Sequence, residues 1–275
     1  MASIAATKEV LRKRVRRLLR LDRPKNDRSE LRARILPCLQ SLGEVALIGG
    51  AIRDLARSGR SAFASDLDFV VYGSPPNRFR DVMVSMNAKA NRFGGYAVQF
   101  QGWKVDVWHL EDTWARTAGL RRVEQISDLL KCTFFDWDSV VFDLRTGELI
   151  FDEDYLFRLS IGVMNVRLSE NPNPDGSLVR ALRRAALWNV RFGWELTEFS
   201  LHHLEKRDWE DLVERDRSAF PDAILSHLDR ADLVRKLEDV DTVAGVVSSF
   251  PIRDWGWQQT LPLPRTDRTI LSPVG

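Results

Sequence analysis

Two adjacent glycines, Gly49-Gly50, follow the apolar run Val45-Ala46-Leu47-Ile48 directly and precede the helix-forming stretch Ala51–Arg57. A short apolar run stopped by glycine predicts a buried strand, and glycine permits a turn that a side chain would obstruct. The chain is therefore predicted to pass from strand to helix with almost no loop. Such a junction turns the backbone N–H groups at the helix start towards a bound phosphate. It also serves as a packing turn with no ligand.

The next element narrows the choice. A polar loop, Gly59–Ser65, delivers Asp66-Leu67-Asp68-Phe69-Val70-Val71-Tyr72. Side chains alternate across a strand, so Leu67, Phe69 and Val71 face one way and Asp66 and Asp68 the other. A third acid, Asp106, lies on the strand Lys104–Leu110, between the inward residues Val105 and Val107. Carboxylates on one face of a sheet are hard oxygen donors that can hold a pair of Mg²⁺ ions, which activate an attacking hydroxyl and steady a leaving phosphate. An isolated Asp-x-Asp is weak evidence of this chemistry, since turns and caps use the same residues. Its place on an apolar strand after a Gly-Gly-helix element, with a third acid on a later strand, makes the pattern far more specific.

The remaining periodicities predict an α+β fold, with a small mixed sheet and helices up to about residue 152. Ser29–Leu42 reads as a helix stopped by Gly43, and Phe79, Val82, Met83, Met86, Ala90 and Phe93 as one face of a longer helix ended by Gly94-Gly95. Tyr96–Gln101 with Lys104–Leu110, and Val140–Leu144 with Glu148–Phe151, read as hairpins. After residue 153 the strand signals fade and an all-helical unit is expected. Its first strong helix is Ser177–Phe192, followed by helices through Leu201–Arg215, Pro221–Leu228 and Leu233–Val240. The predicted divisions are a basic arm at 1–43, a catalytic unit at 44–152, a helical unit at 153–250 and a tail at 251–275.

Charge distribution points to a partner. The 275-residue chain has a net charge of +2, yet residues 1–34 hold twelve basic and four acidic side chains. Arg12, Lys13, Arg16, Arg17 and Arg20 cluster there, and clustered cations bind polyanions by releasing counterions from phosphates. The same segment also reads as a solvated helix or an Arg-rich organelle presequence. The longest uncharged stretches, 93–103 and 242–252, are too short for a spanning helix, so no membrane association is expected. Cys38 and Cys132 are too few for a disulfide framework and have no Cys or His at ligand spacing. A reducing, cytoplasmic setting is expected. His109, His202, His203 and His227 show no metal or triad spacing.

These motifs resemble the polymerase-β-like nucleotidyltransferases, in particular the head and neck of bacterial class II CCA-adding enzymes and poly(A) polymerases. Leu47-Ile48-Gly49-Gly50-Ala51-Ile52-Arg53-Asp54 is similar to the family's Gly-Gly-x-x-Arg-Asp, and Ser65–Val71 to its Asp-x-Asp strand. Weaker likeness runs through Phe135–Glu148 and Leu182–Leu196, where Arg191-Phe192-Gly193-Trp194-Glu195-Leu196 is similar to the neck's Arg-Leu-Gly-Phe-Glu-Leu. The resemblance implies transfer of a nucleoside monophosphate from an NTP to an RNA 3′ hydroxyl, with tRNA the leading acceptor. It implies that Asp66, Asp68 and Asp106 ligate Mg²⁺ and that Gly49 and Gly50 hold the β and γ phosphates. Asp138, standing where the family carries Asn, would also meet nucleotide. Because the neck faces the cleft, Arg180, Arg183 and Arg184 become nucleotide contacts, with a solvated helix face as the alternative. Arg53 either reaches a phosphate or pairs with an acid such as Asp54. The chain departs from the family at Cys132-Thr133-Phe134, where Arg-Arg-Asp is usual, and at Asp175–Arg180, where the spacing of Glu-Asp-x-x-Arg is broken. The metal ligands are kept and the nucleotide reader is altered. Two other functions are compatible with the pattern: transfer to a protein or small molecule, and a catalytically silent RNA-binding module.

Overall fold

The computed structural model describes residues 4–19, 31–59, 63, 65–91, 93–100 and 103–239. Its first helix, α1 (Lys8–Leu19), buries Leu11, Val15 and Leu18, which recur at i, i+4 and i+7 on one face. That face packs against the helix after the Gly-Gly turn, and Ala5 N–H donates to Ala56 O at 2.7 Å. The basic segment is thus docked on the body through residue 19 instead of standing free.

A π-helical turn, Leu31–Ile35, leads into α2 (Leu36–Leu42) and β1 (Glu44–Ile48). The predicted helix from Ser29 is therefore split in type, and residues 29 and 30 lie outside the described residues. Next come α3 (Gly50–Ser58), β2 (Leu67–Tyr72) and α4 (Pro76–Ser85). Helix α4 is shorter than its apolar spacing predicts, because Asn87 adopts a left-handed φ of 53°. The chain then forms β3 (Lys89–Ala90), with Ala90 paired to Tyr96 instead of lining a helix face.

Strands β4 (Tyr96–Phe100) and β5 (Trp103–His109) form the expected antiparallel hairpin. A short helix α5 (Trp114–Thr117) and a 3₁₀ turn Ile126–Lys131 precede the second hairpin, β6 (Val141–Asp143) and β7 (Leu149–Ile150). The seven strands lie in the order β3-β4-β5-β2-β1-β6-β7, and β2 with β5 is the parallel pair among otherwise antiparallel neighbours. Leu47, Leu67, Phe69, Val71, Val105 and Val107 enter the main core with Leu39, Ile52 and Leu55 of the flanking helices. The opposite face carries a smaller cluster, in which Ala46, Val70 and Val141 pack with Leu110, Val123, Leu129 and Leu130. Asp68 shares that second face with Val70, beyond the edge of the apolar cluster.

The second half contains α6 (Tyr155–Ile161), β8 (Val163–Met164), α7 (Pro174–Trp188), β9 (Arg191–Phe192), α8 (Trp194–Lys206), α9 (Trp209–Ala219) and α10 (Arg230–Glu238). It is helical except for the parallel β8–β9 pair, which departs from the all-helical expectation. Helix α7 starts three residues before the predicted Ser177, because Pro174 takes the first helical position and Asn173 caps Gly176 N–H at 3.2 Å. It ends at Trp188, since Asn189 turns left-handed at φ 55° and frees Arg191 and Phe192 to pair with β8. The single helix expected through Leu201–Arg215 is broken in two where Asp208 caps α9. Pro221–Leu228 holds only a 3₁₀ turn, Ile224–His227. Among the described residues no helix is long and apolar enough to cross a membrane. The predicted tail at 251–275 lies outside the described residues.

Candidate active site

The Gly-Gly turn is set by backbone geometry. Gly49 has φ +72° and ψ −132°, a combination closed to side chains, and its N–H donates to Val140 O at 3.0 Å. Its carbonyl accepts from Ile52 and Arg53 N–H at 3.1 Å each, which starts α3. Gly50 is held close to Ser65, where a Cβ would come within 3.0 Å of the hydroxyl oxygen. A Cβ on Gly49 would touch both Asp138 O and Asp68 Oδ2 at 3.9 Å, so the turn, Asp138 and Asp68 adjoin one another.

Asp68 and Asp106 are direct register partners across the parallel β2–β5 pair, and Ile48 is the partner of Asp68 on β1. Asp66 stands exposed at the entry to β2, two residues before Asp68 and on the same alternation. All three carboxyls lie above the ordinary range. Burial raises Asp68 furthest, with the charges of Asp106, Asp66 and Asp138 added and that of Arg53 opposing. Burial and Asp66 raise Asp106, burial raises Asp66, and Lys104 opposes both shifts. Lys104 was not among the residues singled out from the sequence, although it precedes Asp106 by two positions and so shares its face of the strand. The donor set fits a divalent ion such as Mg²⁺, since a cation relieves the mutual repulsion of three hard oxygen ligands. Among the described residues no group of three or more His, Cys, Asp or Glu side chains is arranged to hold a metal ion as it stands.

Arg53 is paired with acids. Buried in α3, it donates from Nε and Nη2 to Asp54 Oδ1 at 3.1 and 2.8 Å, from Nη2 to Ser65 Oγ at 2.8 Å, and from Nη1 to Asp138. Asp54 Oδ2 accepts from both N–H and Oγ of Ser65, at 3.1 and 2.8 Å. The Arg-Asp pair therefore ties the loop that carries Asp66 to the helix after the Gly-Gly turn. Ser65 is a second residue that sequence reasoning passed over; its signal was its place immediately before Asp66.

The α7 arginines go to three different places. Arg184 is buried, donates to Asp138 Oδ2 at 3.1 Å and lays its guanidinium over Phe135 at 4.2 Å. Arg183 is buried on the far side, donating to Asp216 Oδ1 at 2.7 Å and Asp222 Oδ1 at 2.6 Å and stacking on Phe220 at 3.9 Å. Neither is on a solvated face. Arg180 is exposed and donates from Nη2 to Ser177 Oγ at 3.0 Å. Burial lowers its pKa, and the charges of Asp138 and Asp68 oppose that shift, so it lies within electrostatic reach of the acid cluster. The site thus gathers Gly49, Gly50, Arg53, Asp66, Asp68, Asp106, Asp138, Arg180 and Arg184, and leaves Arg183 outside.

Of the basic residues at the chain start, Lys13 and Arg17 are exposed on α1. Arg12 is engaged with Glu9 and Glu148, each at 2.6 Å, and Arg16 donates to Gly147 O at 3.3 Å. Arg20 lies outside the described residues.

Comparison with solved structures bears on this arrangement. The chain is similar to the Thermotoga maritima CCA-adding enzyme complexed with tRNA, at 17% identity and a TM-score of 0.51, covering 96% of this chain and 58% of that one. It is similar to a tRNA-processing enzyme in an apo form, also at 17% identity and TM-score 0.51, covering 80% and 59%. The fold is that of the head and neck of a CCA-adding enzyme. The chain spans somewhat under three-fifths of the length of these two structures. Comparison with protein-family models and with curated proteins gives no match.

Proposed function

We propose that the chain is a Mg²⁺-dependent nucleotidyltransferase that moves a nucleoside monophosphate from an NTP to an RNA 3′ hydroxyl, tRNA being the leading acceptor. The observation that carries this reading is the register pairing of Asp68 with Asp106, with Asp66 beside them, next to the Gly-Gly turn. Asp66, Asp68 and Asp106 would hold the ions. Bound there, they would lower the pKa of the attacking hydroxyl and neutralise charge building on the phosphoryl oxygens.

The chain's own groups supply the rest. Gly50, in the first turn of α3, keeps some surface, and its N–H would meet the triphosphate. Arg180, exposed and within electrostatic reach of Asp68 and Asp138, suits a phosphate or the acceptor strand. The 3′ oxygen attacks the α phosphorus, the bond to the bridging oxygen breaks, and pyrophosphate leaves. Asp106 would also take the hydroxyl proton. Exposed Lys13 and Arg17 would meet RNA backbone. The enclosure of Arg53 and Arg184 by Asp138 removes two cations that would otherwise face a nucleotide.

That enclosure, with acids not arranged to hold an ion as they stand, favours one second reading: an RNA-binding module without turnover. A transfer assay separates the two. Purified protein, Mg²⁺, each α-labelled NTP in turn and total RNA should give labelled RNA, lost in Asp68→Asn. Label on protein would shift the acceptor class, and RNA binding without label would make the silent module the better account.

A further inference from the structure

A cavity of about 570 Å³ opens behind Trp188, between the C-terminal ends of α3, α6 and α7. Two arginines line it. Arg57, in the last turn of α3, stacks its guanidinium 4.1 Å from the centre of the Trp188 ring. Its Nε is buried without a hydrogen-bond partner, and no carboxylate pairs with it among the described residues. The nearest acid in sequence, Asp54, is committed to Arg53 and Ser65. Arg191, on the other wall, donates one N–H to Ile161 O at 2.7 Å and likewise has no carboxylate partner among the described residues. Ser160 and Asn189 complete an edge that is exposed to solvent.

Carbonyl groups at three helix ends carry partial negative charge, which accounts for cations gathering here. It does not account for Arg57, whose donors are spent on none of those carbonyls. A guanidinium presents five N–H groups in a fixed fork and is left costly when buried without acceptors. A tetrahedral oxyanion supplies acceptors at the spacing that fork requires. Arg53 and Arg184, the two arginines bound to Asp138, approach the same indole at 5.1 and 5.4 Å, so one ring separates the cavity from the carboxylate site.

We propose that this cavity binds a phosphate group through Arg57 and Arg191, as a site separate from the carboxylate cluster. An RNA strand ending at Asp68 and Asp106 would bring a preceding phosphodiester to it, and that choice of source rests on the proposed function. The placing of Arg57 beside the cavity without a carboxylate partner does not rest on it.

The test reads binding, not transfer, on the full chain in EDTA, so a failure of the nucleotidyltransferase reading leaves its outcome intact. The probes are a fluorescein-labelled single-stranded RNA followed by anisotropy, and inorganic phosphate followed by tryptophan fluorescence. Arg57→Gln should weaken RNA about tenfold and reduce the salt slope by about one, as loss of one phosphate contact does. Ser160→Glu, at an exposed position on the rim, should weaken it similarly by repulsion, and it decides the matter if Arg57→Gln fails to give a folded circular dichroism spectrum. Phosphate that binds the parent chain and neither variant, with RNA unaffected, would assign the site to free phosphate. The proposal is overturned if neither probe binds, or if folded variants bind both probes as the parent does.

Discussion

Asp138 accepts a hydrogen bond from Arg53 on one carboxylate oxygen and from Arg184 on the other, the latter at 3.1 Å. One acid therefore joins the helix after the Gly-Gly turn to the long helix of the second half. Burial raises its pKa, but Arg184 and Arg53 outweigh burial and hold it below the ordinary carboxylate range. Asp138→Asn leaves two buried cations short of a counter-charge and should cost about 3 kcal/mol at pH 7, read from urea unfolding. A depressed acid contributes stability that is full above its unfolded value and lost as pH falls through the folded one. The gap between parent and variant should therefore close only below about pH 4.

Asp136, two residues earlier, moves the other way. Burial pushes its carboxyl up to about 6, against the Asn165 N–H and the Arg158 charge. Between about pH 4, where the unfolded chain ionises, and pH 6 the folded state holds the extra proton. Stability should fall with rising pH across that window and level off above it, by about 3 kcal/mol in total. Asp136→Asn should flatten this part of the curve, as the difference in urea midpoint between the two proteins at pH 4 and pH 7 would show.

Mg²⁺ should raise the thermal midpoint of the parent chain, because an ion that binds only the folded acids stabilises by mass action, by about 3 kcal/mol at a hundred times its dissociation constant. Asp106→Asn should abolish most of that rise in differential scanning fluorimetry. A rise unchanged in the variant would place the ion elsewhere.

Leu11 on α1 is completely buried. Leu11→Ala should cost about 2–5 kcal/mol in chemical unfolding, the cost of a core cavity, and a free arm would show none. Lys13→Ala with Arg17→Ala should change stability by less than about 0.5 kcal/mol. The same pair should lower RNA affinity most at low salt.

Arg183→Met strands the fully buried Asp216 without its cation. A loss of about 3–5 kcal/mol is expected in urea unfolding. NTP affinity, measured by equilibrium dialysis on the folded fraction, should stay as in the parent.

The parts legible from sequence were those written in short-range pattern. Alternation placed Leu67, Phe69 and Val71 in the core and Asp68 on the other face, and Gly49 marked a turn that its positive φ requires. Spacing could not tell where α4 stops, because that depends on Asn87 leaving the helical region of backbone space. Nor could it sort the α7 arginines. Arg183 and Arg184 are adjacent and look alike in a helical projection, yet their partners, Asp216 and Asp138, lie 33 residues ahead and 46 behind. The burial of α1 had a signal in Leu11, Val15 and Leu18, which the density of arginines obscured.

The pairing of β2 with β5 has a kinetic meaning. Neighbouring parallel strands cannot be joined by a tight turn, so Asp68 meets Asp106 only after α4, β3 and β4 have been laid down between them. The acids arrive from distant parts of the chain and repel as they approach, so their encounter costs loop closure and charge repulsion together. A nascent chain that has not yet emerged to residue 106 carries Asp66 and Asp68 without the acid that completes their cluster. Whatever chemistry the cluster performs begins only when β5 has docked beside β2.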